Sequence, residues 1–154
     1  MLKKILLLSD SFKGSLSSGE IASLGQKYFR KYLPKESVKG FRIADGGEGT
    51  VAFFINELGF TPVEITTVNA FLKPIKTKYA TKGDVAVFDV ASVVGFDVND
   101  GLDIMHATTY GIGLVLDEII NAGYQKIYLG LGGSITNDGG SGLLAIPSSS
   151  HRTG

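Results

Sequence analysis

Three short stretches concentrate residues that can do chemistry. The first is "SDSFKGS", holding Asp10, Ser11, Lys13 and Ser15 around Gly14. Hydroxyls and a lysine beside a helix start suit an anion: free N–H groups there point at the ligand, and the lysine adds a point charge for a phosphate. A plainer reading leaves Ser15 and Ser17 as helix caps and Lys13 as a solvated side chain. The second is "ADGGEGT", with Asp45, Gly46, Gly47, Glu48, Gly49 and Thr50. Two carboxylates beside a phosphate site call for a cation between them, often Mg²⁺. One of them could instead accept the proton of a hydroxyl nucleophile. A less attractive reading has them do no more than favour the N-terminus of the helix that follows. The third is "GLGGSITNDGG" at 130–140. There Gly132, Gly133, Ser134, Thr136 and Asn137 could form a nest of N–H and hydroxyl donors, with Asp138 as a metal ligand. Its glycines could also serve only a tight, closely packed strand-to-helix turn. Glycine held in one conformation gives up more entropy than any other residue, so a cluster of five implies a sharp turn or a close approach.

Several familiar chemistries are missing. There is no G-x-x-x-x-G-K-[ST] loop, no G-x-G-x-x-G opening the first helix and no G-x-S-x-G elbow. His106 and His151 are too far apart to suggest a metal pair, and the absence of cysteine removes disulfides and thiolate metal sites. Fifteen basic and fifteen acidic residues balance to zero, which argues against a nucleic-acid or membrane-surface binder. The apolar run at 5–8 is too short for a signal peptide or a membrane span. With 154 residues, 44% of them hydrophobic, the chain has material for a real core.

The elements that must position these stretches follow an alternating pattern. "KKILLLSD" reads as a continuous buried strand. A helix follows, with Ser17 and Glu20 at capping-box spacing and Ile21, Leu24, Tyr28, Tyr32 and Leu33 at helical intervals. "SVKGFRI" is a second strand, and "VAFFINEL" a helix with Val51, Phe54, Ile55 and Leu58 on one face and Gly59 to stop it. Strand, helix, strand, loop, helix predicts an α/β unit with parallel strands. From about residue 60 the character changes. "TPVEITTVN", "IKTKYAT" and "DVAVFDVAS" are strands with no helix between them, which predicts antiparallel pairing and a second subdomain. Val63, Ile65 and Thr67 share one face of the first of them. A helix with Ile112, Val115, Leu116, Ile119 and Ile120 as its stripe, ended by Gly123, leads into the buried strand "KIYLGL" and then the third stretch. "PSSSHRTG" at 147–154 reads as a flexible tail or an expression scar.

Taken in order, "DSFKGSLSS", "ADGGEGT", "TTYGIG" and "GLGGSITNDGG" resemble the bacterial glycerate kinase family over about residues 5–144. The resemblance implies ATP-dependent phosphorylation of D-glycerate to a phosphoglycerate, with ATP and Mg²⁺ as cofactors. It also implies a Rossmann- or flavodoxin-like parallel-sheet portion over 1–60 and the start of a second, inserted α/β domain over 61–146. Two departures stand out: Ile135 where the family usually has a small residue, and Asp89 where a glutamate is common. The family's members are well over twice this length, so the resemblance implies an N-terminal portion, which as a remnant would bind phosphate or nucleotide without chemistry. Carried over by motif, Asp10, Ser11, Lys13 and Ser15 belong to a cleft. Its second wall is Asp45, Gly46, Gly47, Glu48 and Gly49, and its third is Gly132, Gly133, Ser134, Thr136, Asn137 and Asp138. Thr108, Thr109 and Gly111 are weaker members. In that setting Lys13 would offset phosphate or carboxylate charge. Asp45 is the first choice for general base or metal ligand, and Asp138 the second. The expected partner is the small molecule D-glycerate in a cytoplasmic setting, with no nucleic acid and no membrane. Exposed sheet edges would favour a homo-oligomer.

Overall fold

A computed structural model describes residues 4–12, 14–33 and 38–146. The tail at 147–154 and Lys13 lie outside the described residues. The chain divides into two compact units, 1–45 and 46–154. The change of strand character near residue 60 falls inside the second unit.

The first unit is β1 (Ile5–Ser9), α1 (Ser18–Phe29) and β2 (Val38–Arg42), with β1 and β2 paired in parallel from Ile5 opposite Val38 to Ser9 opposite Arg42. A parallel pair needs a crossover, and α1 supplies it. Its start is the expected capping box: the Glu20 N–H donates to the Ser17 hydroxyl, and the Ser17 N–H donates to the Glu20 carboxylate at 2.8 Å. The face of α1 that meets the sheet is not the expected one. Its buried residues are Gly19 and Ala22, while Leu24 and Tyr28 are exposed; the helix ends at Phe29, so Tyr32 of the expected stripe lies beyond it. Close approach decides this. A Cβ added to Gly25 would lie 2.8 Å from Leu7 Cδ1, and one added to Gly40 would lie 2.7 Å from the Ala22 carbonyl oxygen. Only small residues fit that contact, so the bulky stripe is turned away from it. β1 likewise is not buried on both faces: Leu6 is 60% and Leu8 55% exposed, because α1 covers one side of the strand pair.

The second unit holds α2 (Thr50–Leu58), β3 (Thr61–Val68), β4 (Pro74–Lys82), β5 (Val85–Asp89), α3 (Ala91–Val94), α4 (Tyr110–Asn121), β6 (Lys126–Gly130) and α5 (Ser141–Leu144). A short 3₁₀ turn, Phe96–Val98, follows α3. The sheet order is β3-β4-β5-β6. The first two pairings are antiparallel, as the strand run predicts, and β5–β6 is parallel across the α3–α4 crossover. The principal core holds Phe88, Val93, Val94, Ile112, Val115 and Ile119, with Ile65 and Tyr79 from the sheet. On the opposite side α2 packs Val51, Phe54 and Ile55 over Ala80 and Val87. Ile65 and Thr67 turn inward along β3 as the alternation requires. β6 departs from its expected burial: at the sheet edge, Tyr128 is 58% exposed and Leu131 beyond it 71%.

Candidate functional site

In the first unit the strand tips are stitched by a residue that motif reading passes over. The Ser18 hydroxyl donates to the Ser9 carbonyl at 2.7 Å and accepts the Ile43 N–H at 2.9 Å. Asp10 accepts the Ser11 N–H at 2.7 Å, and Ser15 lies exposed in a turn closed by Phe12 and Leu16, with Gly14 at φ +72°. Asp45 is the last residue of this unit and is exposed.

In the second unit the loops at 46–49 and 130–133 are packed backbone to backbone. The Gly132 N–H donates to the Gly46 carbonyl at 2.9 Å. A Cβ on Gly130 would stand 2.5 Å from that same oxygen, and one on Gly132 2.8 Å from Gly47 Cα. Gly46, Gly49 and Gly133 have φ of +91°, +84° and +76°, the left-handed region that disfavours side chains. The glycines at 130 and 132 are thus required by the neighbouring loop, and that at 133 by its own turn.

Beyond Gly133 the chain alternates between anchored and presented residues. Ile135 is 5% exposed, enters the principal core and donates its N–H to the Val94 carbonyl at 2.9 Å. Ser134 and Asn137 on either side of it are exposed, and Thr136 is half-buried. The Ser134 hydroxyl lies 2.9 Å from that of Thr136 and accepts the Thr136 N–H. The N–H groups of Gly133, Ser134 and Asn137 meet no protein acceptor among the described residues. The buried Ile135 side chain therefore pins the loop while Ser134 and Asn137 are exposed.

Asp138 is heavily engaged. One carboxylate oxygen accepts the Thr109 N–H at 2.8 Å, the Thr109 hydroxyl at 2.9 Å and the Gly142 N–H at 3.3 Å; the other accepts the Gly140 N–H at 3.0 Å. Burial, the largest single influence, pushes its pKa up. The donors on Thr109, Gly140 and Gly142 together outweigh it and hold the carboxyl below the usual aspartate value. Thr109 and Gly140 are the N-cap residues of α4 and α5, and neither provides a side-chain cap of its own. One carboxylate thus caps two helices. Gly111 serves packing: a Cβ there would strike the Val68 carbonyl oxygen, and its own carbonyl accepts the Thr67 hydroxyl at 2.7 Å.

A further carboxylate, Asp89 at the end of β5, is buried in the second unit. It accepts the Val51 N–H at 2.9 Å and the Ser92 N–H at 3.0 Å. Burial pushes its pKa above the usual value, and these donors offset part of the rise. The signal in the sequence is a charged residue closing the apolar run "VAVF". Among the described residues no group of three acidic or histidine side chains is placed to hold a metal. No described helix is long and apolar enough to cross a membrane.

The motif-bearing loops occupy 46–49 and 130–138, and a family model for the glycerate kinase family matches residues 5–146, which takes in both. The chain belongs to the glycerate kinase family. It is 32% identical over 145 residues to glycerate kinase of Bacillus subtilis (strain 168) and 30% identical over 145 residues to glycerate 2-kinase of Escherichia coli (strain K12). Each alignment covers 92% of this chain and 38% of the relative, so the chain spans well under half the length of these relatives. A crystal structure of a protein from Salmonella typhimurium LT2, assigned as glycerate kinase 2, superposes with a TM-score of 0.68 at 31% identity. It covers 91% of this chain and 39% of that one. The architecture of this chain is mixed α/β, with β1–β2 and β5–β6 paired in parallel.

Proposed function

We propose that this chain serves ATP-dependent phosphoryl transfer to a hydroxyl of D-glycerate, giving a phosphoglycerate. The observation that carries the reading is the loop pair of the second unit. Two family motifs, distant in sequence, pack against each other and leave the N–H groups of Gly133, Ser134 and Asn137 turned to no protein acceptor. N–H groups without a protein acceptor, in a loop with a left-handed residue, suit an anion, so the residues present fit a phosphate.

Bound ATP would supply the transferable phosphoryl group. The protein's share is position and charge. Gly133, Ser134 and Asn137 would hold phosphate oxygens, and Lys13, as a cation of the first unit, would offset anionic charge. Asp45 would accept the proton of the attacking glycerate hydroxyl or hold Mg²⁺. A Mg²⁺ ion commonly takes only one or two protein carboxylates together with substrate phosphates, so the absence of a three-carboxylate group in the described residues is compatible with it. Asp138, its oxygens engaged by five donors, would position the 131–138 loop.

The test is release of ADP when the protein is mixed with ATP, Mg²⁺ and D-glycerate, with Asp45→Asn alongside. Loss of a positioned base costs about 10²–10⁴-fold in kcat. Near-normal turnover in that variant would remove Asp45 from the role. Because the chain spans 38% of its relatives, a binding module without chemistry is the second reading. Stabilisation by nucleotide with no ADP formed would select it.

A further inference from the structure

Three successive residues at the tip of β5 touch both glycine loops. The Asp89 carboxylate takes the Val51 N–H at the start of α2, directly after the 46–49 loop, and the Ser92 N–H in α3. The Val90 N–H donates to the Gly130 carbonyl at 2.9 Å, at the root of the 130–133 loop. The Cβ of Ala91 stands 3.2 Å from where a Cβ on Gly133 would be. Strand pairing places Asp89 itself opposite Gly130.

A carboxylate at 3% exposure is an expensive way to end a strand, since a buried charge must be fully hydrogen-bonded to be tolerated. The geometry around α2 accounts for it. The N-cap of α2 is Gly49, which has no side chain with which to cap. Its left-handed φ of +84° is what lets the loop turn into the helix. The helix therefore takes its capping oxygen from another element, and that oxygen belongs to the strand whose next residue anchors the second loop. Asp89 also lines a cleft of about 380 Å³ in the same unit, together with Glu48, Gly49, Ser92, Lys76 and Lys78. Any shift of the α2 start moves a wall of that cleft.

We infer that Asp89 is a positioning residue: by holding the first turns of α2 and α3 it sets the 46–49 loop against the 130–133 loop, and so the geometry offered to a phosphate. The inference rests on the reading of these loops as ligand-binding given above.

The test compares the wild-type chain with Asp89→Asn and Asp89→Glu by amide hydrogen exchange, nucleotide-induced thermal shift and steady-state kinetics. Asparagine keeps one acceptor and turns an amide N–H₂ toward the other donor, so one N–H loses its partner. Exchange at 46–51 and at 130–133 should rise about tenfold or more, while β3, β4 and α4 stay within about threefold. The thermal shift given by ATP with Mg²⁺ should fall by about half or more, and kcat about tenfold with a smaller change in KM, the pattern of lost orientation. Asp89→Glu, which restores a carboxylate, should recover part of each effect, and it keeps the test decisive if the asparagine variant fails to fold. Exchange that rises evenly over the whole second unit, or only at Val51 and Ser92 with 130–133 unchanged, would overturn the inference. So would wild-type thermal shift and kcat in Asp89→Asn. A wild-type protein that neither binds nucleotide nor turns over sinks the phosphotransfer reading, and the exchange pattern then still decides whether Asp89 couples the loops.

Discussion

Replacing Asp138 by alanine should destabilise the second unit by about 2–3 kcal/mol. The figure follows from what the carboxylate does. It caps α4 through Thr109 and α5 through Gly140 and Gly142, where the N-cap residue of neither helix supplies a side-chain cap. An N-cap is worth about 1 kcal/mol, so two give about 2. Thr109 is buried, so its stranded N–H is poorly reached by water and adds up to about 1 kcal/mol more. Asparagine should cost less. Its amide oxygen can take the place of the oxygen that accepts from Thr109 and Gly142, leaving the N–H₂ against the Gly140 N–H, a loss of about 1 kcal/mol. Equilibrium urea denaturation followed by far-UV circular dichroism reads both values, provided the m-value is unchanged. The pH dependence has a definite sign. A carboxyl whose folded-state pKa lies below its unfolded value adds stability at pH above the unfolded value, and that contribution is lost as pH falls through the folded one. The advantage of wild type over Asp138→Asn should therefore be complete at neutral pH and vanish in strong acid. An alanine variant within about 0.5 kcal/mol of wild type, or an asparagine variant as damaged as alanine, would refute the double-cap account.

Other expectations follow from the same geometry. Gly130→Ala forces a Cβ to 2.5 Å from the Gly46 carbonyl oxygen and should cost about 1–3 kcal/mol. Gly139→Ala, at φ +63° with no atom within 4 Å of the added carbon, should cost about 1–2 kcal/mol from the backbone alone, and urea melts of the pair separate contact from conformation. Ser17→Ala removes the α1 cap and should cost about 1 kcal/mol in the same assay. The Glu20 pKa, held low first by the Ser17 N–H and then by its hydroxyl, should move back toward its ordinary value by NMR titration when only the hydroxyl is lost. Asp89 runs opposite to Asp138. Its folded-state pKa is raised, so its contribution falls as pH climbs from the ordinary aspartate value through the raised one. Asp89→Asn should flatten that limb of the stability–pH curve.

What the sequence determined by itself was local. Ser17 and Glu20 lie three residues apart, and their reciprocal bonds need only one helical turn. Gly59 and Gly123 end their helices in left-handed backbone that the residue type alone makes cheap. The alternation of Val63, Ile65 and Thr67 chose the buried face of β3, and the α/β order and the strands without helices foretold parallel and antiparallel pairing. The tertiary structure decided what depends on distance across the fold. Hydrophobic period marked Leu24 and Tyr28 as the inner face of α1, but the backbone comes too near β2 to admit them, and Gly19 and Ala22 are there instead. Gly130 and Gly132 of "GLGGS" are explained by Gly46 and Gly47, more than eighty residues earlier. Asp138, by type a metal ligand or base, is claimed by donors from two helices, and Asp89, by position the end of a strand, caps a helix that begins at residue 50. A residue type states what a side chain can donate or accept. Only packing sets which partners lie within 3 Å of it, and the cost of leaving a buried donor unmatched makes that choice binding.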